Sequence, residues 1–226
     1  MFGSRLVPRL LLISTVAAAA AAIAPVTMAS AAGASASPAA SCPSCGTNLI
    51  LNPGAEQGKG TTSDSKVKVP HWKATGGFTA AQYAWSGGDV SASSPGPKDR
   101  GKNYFYGGPD AAKSTGTQVD SIAAGGVSGG KVHFTLSGWL GGYSTQGDYA
   151  TLTVTFLSGK GKALSSTTIG PVTEAQRHGV SKFLFRTKSG TVPAATRGVR
   201  LMLKMVREEG SDNDGLADNL KLTFKS

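Results

Sequence analysis

The segment VHFTLSG, residues 132–138, alternates apolar and polar side chains with a period of two. Val132, Phe134 and Leu136 fall on one face of an extended chain, and the polar residues between them fall on the other. This period is typical of an antiparallel strand with one buried face and one solvated face.

Four further segments repeat the alternation: ATLTVTFL at 150–157, KFLFRT at 182–187, VRLMLKMV at 199–206 and NLKLTF at 219–224. Turn-forming residues separate them, and SGKGK at 158–162 predicts a hairpin loop. Only residues 173–178 have helical potential, enough for one or two turns. The pattern predicts an all-β fold, a two-sheet antiparallel β-sandwich of the jelly-roll type.

The first 31 residues are predicted to be a secretory signal peptide. Arg5 and Arg9 precede an apolar run over residues 10–24, and small residues follow at 29–31. The run is too short to span a membrane, and no later segment is continuously apolar, so we expect a secreted, extracellular protein without a membrane span. A lipid anchor at Cys42 is the alternative, because Ala40 and Ser41 precede it as in a lipobox.

Residues 32–46 are rich in Ala, Ser and Pro and predict a disordered linker, followed by a single β-sandwich domain over residues 47–226. The linker contains both cysteines of the chain, Cys42 and Cys45. We expect them to form a local disulfide in an oxidising compartment. A thioredoxin-type redox pair is the alternative, but it needs a strand before it and a helix after it, and neither is predicted.

The chain is strongly basic, with a formal charge of +10. Removal of the signal peptide takes away Arg5 and Arg9 and no acidic residue, which leaves +8. Anionic polymers are therefore expected partners. The lysines are scattered and no recognition helix, zinc-finger spacing or RNP motif is present, so the sequence does not predict specific nucleic-acid binding.

Three segments carry a resemblance to a known family: NPGAE at 52–56, PHW at 70–72 and ADNLKL at 217–222. Together they resemble carbohydrate-binding modules of the galactose-binding-like jelly-roll group. Residues 137–148 are also similar to a set of secreted bacterial proteins of that fold. The resemblance covers residues 47–226 and implies the same β-sandwich.

The resemblance also implies a structural calcium ion. In the family, the glutamate of the opening turn and the aspartate of the closing strand help to hold calcium, and here these residues are Glu56 and Asp218. Oxygen ligands from two neighbouring chain ends suit this cation. The alternative is a pair of solvated acids in turns. An EF-hand site at residues 212–215 is not expected, because no glutamate closes the loop.

Sugar recognition needs flat aromatic faces and polar groups that pair with hydroxyls. The residues that offer these in loops or at strand edges are Trp85, Tyr104, Tyr106, Tyr143, Gln146 and Asp148. Alternation puts Tyr104 and Tyr106 on one face, side by side at the surface, with Phe105 toward the core. The alternative is half-buried packing. Trp72 and Trp139, flanked by apolar strand-like sequence, are predicted to be core anchors.

No G-x-S-x-G or H-E-x-x-H motif is present, and the three histidines have no matching partners in sequence. We therefore expect a monomeric, non-catalytic protein that binds a carbohydrate or cell-wall polymer and is stabilised by calcium. The main alternative is a structural or adhesive protein that binds anionic polymers or another protein through its basic surface. A glycan-active hydrolase is the minor alternative, because carboxylates distant in sequence can meet in space.

Overall fold

The computed structural model describes Cys42, residues 44–122 and residues 132–226. The predicted signal peptide and most of the predicted linker lie outside the described residues. Within the described residues, ten strands and one short helix follow one another: β1 Lys73–Thr75, β2 Thr79–Gln82, β3 Asn103–Gly108, β4 Lys113–Ser121, β5 His133–Gly142, β6 Tyr149–Ser158, β7 Ala163–Ile169, α1 Glu174–Arg177, β8 Lys182–Thr191, β9 Thr196–Val206 and β10 Asn213–Lys225.

The strands form two five-stranded sheets. The first sheet has the order β1-β4-β9-β6-β7 and the second sheet has the order β2-β3-β10-β5-β8. Every neighbouring pair is antiparallel. The sheets pack face to face, with β5 and β10 of the second against β6 and β9 of the first. The predicted two-sheet antiparallel sandwich is confirmed.

The local predictions are also confirmed. The five alternating segments lie in β5, β6, β8, β9 and β10. The predicted hairpin loop joins β6 to β7, and the amide of Gly161 donates to the carbonyl of Ser158 over 2.9 Å. The one helix begins after Thr173, whose hydroxyl accepts from the amide of Gln176, while the Gln176 side chain accepts from the amide of Thr173. This capping box satisfies two of the amides that a helix start leaves free.

The core lies between the sheets, where the apolar half of each alternating strand points inward. In the second sheet, Leu140 pairs with Ala217 on one side and with Leu184 on the other. Trp72 is 6% exposed, stacks edge-on against Phe105 at 5.2 Å, and belongs to this core. The prediction of Trp72 as a core anchor is therefore confirmed.

Cys42 and Cys45 form the predicted disulfide. A turn follows Cys45, and the chain then runs beside β10, where the amide of Gly46 donates to the carbonyl of Phe224 over 3.0 Å. The amide of Leu49 donates in the same way to the carbonyl of Leu222 over 2.8 Å. Among the described residues, no helix is both long and apolar enough to cross a membrane.

Candidate functional site

The face of the second sheet that points away from the core, here called the outer face, brings together side chains from β3, β10, β5 and β8. Strand pairing aligns these side chains in rows. One row contains Tyr106, Leu216 and Phe183, and in the next row Trp139 lies opposite Phe185. The rows beyond them are polar. The outer face therefore has an aromatic part and a polar part, which meet at Trp139 and Phe185.

A long segment, residues 83–102, lies over one part of the outer face, here called the covered half. The side chains of the covered half are buried, and together with Tyr83 and Val90 of the covering segment they form a second apolar cluster. The side chains of the covered half in this cluster are Ala81, Tyr104, Tyr106, Phe183 and Leu216. The ring of Tyr83 lies 4.9 Å from that of Tyr104 and 6.2 Å from that of Phe183. The amide of Phe183 donates to the carbonyl of Pro95 over 2.9 Å, which fixes the segment to β8.

The expected exposure of Tyr104 and Tyr106 is therefore wrong. Both point to the outer face, as alternation predicts, but they are only 0% and 2% exposed. Tyr83 packs over Tyr104, and Trp85 packs against Tyr106 at 6.4 Å. The strand pattern identifies the face of a side chain but not the segment that later covers it.

Arg100 holds the covering segment in shape. Its guanidinium donates to three carbonyls of the same segment, those of Ser91, Ser94 and Pro97, over 3.0, 2.7 and 2.8 Å. The guanidinium carbon also lies 5.0 Å from the centre of the Tyr83 ring, a cation–π distance. One side chain thus ties together three carbonyls of a loop that has little regular structure.

No segment of the described residues covers the other part of the outer face in this way, and this part is here called the open half. Phe185 is 49% exposed, Trp139 is half-buried, and their ring centres are 5.6 Å apart. They border a depression of about 430 Å³. Polar side chains of β5, β8, β10 and the covering segment complete its lining: Asp99, Thr135, Ser137, Thr187, Asn219, Lys221 and Thr223.

The prediction of Trp139 as a core anchor is wrong. It lies two residues after Ser137 on the same strand and therefore shares the outer face with it. When the alternation that places Phe134 and Leu136 in the core is continued along the strand, it predicts that Trp139 lies on the outer face. The apolar residues beside Trp139 in sequence belong to the opposite face.

The side chains of the open half have defined partners. The amide nitrogen of Asn219 donates to the carboxylate of Asp99 over 3.0 Å, which holds both groups at the rim of the depression. The backbone of Asn219 has a positive φ of 46° at an irregularity in the pairing of β10 with β5. This bulge turns the Asn219 side chain out of the regular alternation, a common effect of bulges.

The opening turn of the sandwich domain, which carries Glu56, and the last strand, β10, which carries Asp218, meet at one edge of the outer face. The amide of Leu220 donates to the carbonyl of Pro53 over 2.9 Å, so the opening turn lies against β10. A Cβ on Gly54 would lie 3.3 Å from a carboxylate oxygen of Asp218, so a larger residue in this turn would press on that carboxylate.

All four carboxylate oxygens of this pair accept hydrogen bonds from the protein. Those of Glu56 accept from the amides of Lys102 and Asn103 over 3.0 and 2.8 Å. Those of Asp218 accept from the hydroxyl of Tyr83 and the amide of Asn219, each over 2.7 Å. Burial raises the pKa of Asp218 to about 7, although these two donors favour the charged form. This geometry does not require a cation, and calcium at Glu56 and Asp218 stays a prediction.

The remaining predicted ligand residues gather elsewhere, around a second cavity of about 260 Å³, here called the acidic pocket. Its lining comes from two loops and from the segment that leads into β10: Gly87, Gly88, Asp89, Tyr143, Gln146, Gly210, Ser211, Asp212 and Asp214. Tyr143 is 39% exposed at the entrance, and Trp85 is half-buried nearby. Tyr143 and Gln146, which the sequence analysis put in one ligand contact set, both line this pocket, whereas the three aspartates beside them were not part of that set.

Asp148 is fully buried, contrary to its predicted place in an open ligand contact set. One carboxylate oxygen accepts from the amides of Glu208 and Glu209 over 2.7 and 3.0 Å. The other accepts from the amide of Asp214 over 2.8 Å. Asp148 therefore fixes the segment between β9 and β10, since its acceptor oxygens are already used by the backbone.

Arg177 supports the acidic pocket from the other side. The side chain is fully buried, and its guanidinium donates to the carbonyls of Ser144, Gln146 and Val180 over 2.6, 2.5 and 3.1 Å. Burial lowers its pKa from the usual value. This arginine holds the loop from Tyr143 to Asp148 against the helix.

The pKa values of several groups in and near the acidic pocket are raised. Burial and then the neighbouring carboxylates of Asp148 and Asp212 raise the pKa of Asp214 to about 7. Burial and the charge of Asp214 likewise raise the pKa of Asp89 well above its usual range. Burial is also the main reason why the pKa values of Tyr104 and Tyr106 are raised.

No protein-family model matches this chain. No curated protein matches it either. Among solved structures, it is similar to a cyclase from Fischerella sp. TAU, with 18% identity over 78% of this chain and 96% of that chain and a TM-score of 0.48. It is also similar to TmCBM61 in complex with β-1,4-galactotriose, with 11% identity over 79% and 99% of the two chains and a TM-score of 0.44.

A further similar structure is the enzymatically active domain of tailspike protein 4 from bacteriophage CBA120, with 17% identity and a TM-score of 0.49. The match covers 79% of this chain but only 21% of the tailspike chain. Because these TM-scores lie below 0.5, none of these likenesses carries an argument about function.

Proposed function

We propose that this chain is a non-catalytic, exported protein that binds a polysaccharide or cell-wall glycan through the open half of the outer face. The observation that carries the proposal is the exposed pair of Trp139 and Phe185 beside a polar depression of about 430 Å³.

The chemistry of the open half suits a sugar chain. A pyranose ring offers an apolar C–H face, which packs on an aromatic ring, and hydroxyls that both donate and accept. Phe185 and Trp139 supply the aromatic surface. Asp99 supplies an acceptor, Lys221 a donor, and Asn219 both. The exposed Phe185 ring and the half-buried Trp139 ring together form an apolar surface at the edge of a polar depression, and ligand sites commonly combine apolar and polar groups in this way.

The same lining supports binding without catalysis. Hydrolysis of a glycosidic bond ordinarily needs two carboxylic groups on opposite sides of the bond. Of the described residues that line the depression, Asp99 is the only acid, and its carboxylate is paired with Asn219. The proposal of export rests on residues 1–31 and is supported by the disulfide between Cys42 and Cys45, which is typical of oxidising compartments.

The first test is retention of the purified protein by insoluble polysaccharides and by purified cell wall, at low and at high salt. The proposal predicts retention by one polymer that persists at high salt, because stacking and neutral hydrogen bonds are weakly screened. Retention that disappears with salt would favour adhesion through the basic surface instead. No retention by any polymer would contradict the proposal. A parallel series with calcium and with a chelator tests the predicted role of calcium.

Trp139→Ala tests the site itself. We expect at least a tenfold loss of affinity, because a central aromatic contact of a binding site is commonly worth about 2 kcal/mol or more. Trp139 also packs against the covered half, so its loss can lower stability. Phe185→Ala is therefore the companion variant, since Phe185 lies farther from that cluster. If the polysaccharide retained both variants as fully as the wild type, the glycan would bind elsewhere.

A further inference from the structure

The acidic pocket presents almost only hydrogen-bond acceptors. The side chains of Asp89, Gln146, Asp212 and Asp214 converge on it from three segments that are far apart in sequence. The pocket lies away from the open half and shares none of its lining residues. The proposed glycan site therefore leaves this cavity unexplained.

Two oxygens in the lining have no hydrogen-bond partner among the residues that the structure describes. They are Asp89 Oδ2 and Gln146 Oε1, and both have almost no solvent-accessible surface. Behind Gly88, the hydroxyl of the fully buried Tyr104 also lacks a hydrogen bond of normal geometry, although the amides of Asp89 and Val90 approach it. Buried polar groups are normally paired, and an unpaired carboxylate oxygen is costly.

The charge around these oxygens is mostly negative. The carboxylates of Asp214, Asp212, Asp148 and Asp64 all act on that of Asp89. The positive charge of Arg177 acts on Asp214, but its guanidinium already donates to three carbonyls. This concentration of negative charge stands out in a chain whose formal charge is +10.

The frame of the pocket is fixed by the protein itself. Asp148 holds the segment that carries Asp212 and Asp214, and Arg177 holds the loop that carries Gln146. The side-chain nitrogen of Gln146 lies against Gly210, where a Cβ would be only 3.0 Å away. A set of side chains in which acceptor oxygens dominate matches a cation better than a sugar hydroxyl, which needs acceptors and donors alike.

We propose that the acidic pocket binds a hard divalent cation of the Ca²⁺ type, with Asp89 Oδ2, Gln146 Oε1 and the carboxylate of Asp214 as protein ligands. Calcium takes about six to eight oxygens and accepts carboxylates, amide oxygens and waters together. Liquid water occupies about 30 Å³ per molecule, so a cavity of about 260 Å³ holds an ion and several waters.

Within the described chain, no group of three or more acidic, Cys or His side chains converges to hold a metal alone. The neutral oxygen of Gln146 and water are therefore part of the proposed coordination. The predicted calcium pair, Glu56 and Asp218, differs in the decisive respect that each of its carboxylate oxygens already accepts a hydrogen bond.

The test is calorimetric titration of CaCl₂ into chelator-treated protein, with thermal unfolding at zero and saturating Ca²⁺. We expect one binding event and a higher melting temperature with Ca²⁺. Asp89→Asn should weaken binding at least tenfold and remove the Ca²⁺-dependent shift. Without Ca²⁺ its melting temperature should equal or exceed that of the wild type, because the unpaired charge is gone.

Asp218→Asn is the matched control and should keep the calcium response. Gln146→Leu is the second variant, which removes a ligand without changing charge and should also weaken binding at least tenfold. No Ca²⁺ binding by the wild type, or loss of binding in Asp218→Asn alone, would overturn the proposal. A rise in melting temperature with ethylammonium chloride, which supplies an organic monovalent cation, but not with CaCl₂ would also overturn the proposal. Because no glycan is present, failure here leaves the proposed glycan site untouched.

Discussion

Phe183 and Phe185 are the same residue type on the same strand and the same face, yet their environments are opposite. Phe183 is 1% exposed beneath the covering segment, whereas Phe185 is 49% exposed beside the polar depression. The strand pattern treats the two alike. The difference teaches that a loop of some twenty residues, 83–102, converts half of the outer face into core and leaves the other half for binding.

The clearest test of this difference between the two halves is to replace each phenylalanine by alanine in turn. Phe183→Ala should lower the free energy of unfolding by about 3–5 kcal/mol, the usual cost of removing a buried aromatic side chain. Phe185→Ala should cost less than about 1 kcal/mol, because its ring is half in solvent already. Urea unfolding of both variants measures the contrast. Equal losses would mean that the two halves are not distinct.

The covering segment is tested through Arg100. Arg100→Ala removes donors to three loop carbonyls and should cost about 2 kcal/mol, since hydrogen bonds from charged groups are worth about 1.5–3 kcal/mol. Cleavage within residues 83–102 by a protease should also become faster. Lys98→Ala is the control, because Lys98 is an exposed charge in the same segment, and its effect should stay within about 0.5 kcal/mol. Similar proteolysis of both variants would contradict this role of Arg100.

Two buried tyrosines, Tyr83 of the covering segment and Tyr104 beneath it, sharpen the comparison further. Tyr83→Phe removes the hydroxyl that donates to Asp218 and should cost about 1–2 kcal/mol, because a buried carboxylate oxygen loses its partner. Tyr104→Phe should change stability by less than about 0.5 kcal/mol, because its hydroxyl makes no hydrogen bond of normal geometry to any residue that the structure describes. Thermal unfolding at one pH compares them directly. A larger loss for Tyr104→Phe would reverse the assignment.

The smallest expected effect belongs to Tyr143→Ala. Tyr143 is 39% exposed at the acidic pocket and does not line the open half. Its truncation should leave both stability and polysaccharide retention unchanged within error, measured by thermal unfolding and by depletion from solution. A clear loss of retention would instead support a glycan site at the residues predicted from the sequence, which include Tyr143.

The strands were predictable because alternation is a local property of the chain. It placed Phe134 and Leu136 in the core, and it placed Tyr104 and Tyr106 correctly on the outer face. It did not predict their burial, because residues 83–102 have no periodicity that reveals where they pack. Trp139 was misplaced for another reason, since the apolar residues beside it in sequence were given more weight than its place in the alternation.

The acidic residues show a different limit of sequence reasoning. Asp89 and Gln146 come from two loops and Asp214 from the start of β10, and only the folded sandwich brings them together. Asp148 is a polar residue in a loop and looked available, yet three backbone amides claim its carboxylate. No spacing in the sequence encodes such a contact.

The most direct measurement is the dissociation constant of the retained polysaccharide, or of a soluble fragment of it, for the wild type and Phe185→Ala at high salt. The account predicts that the wild type binds and that Phe185→Ala loses at least tenfold in affinity, while its melting temperature stays close to that of the wild type. Equal affinity of the two proteins would contradict the account, because the open half would then not be the glycan-binding surface.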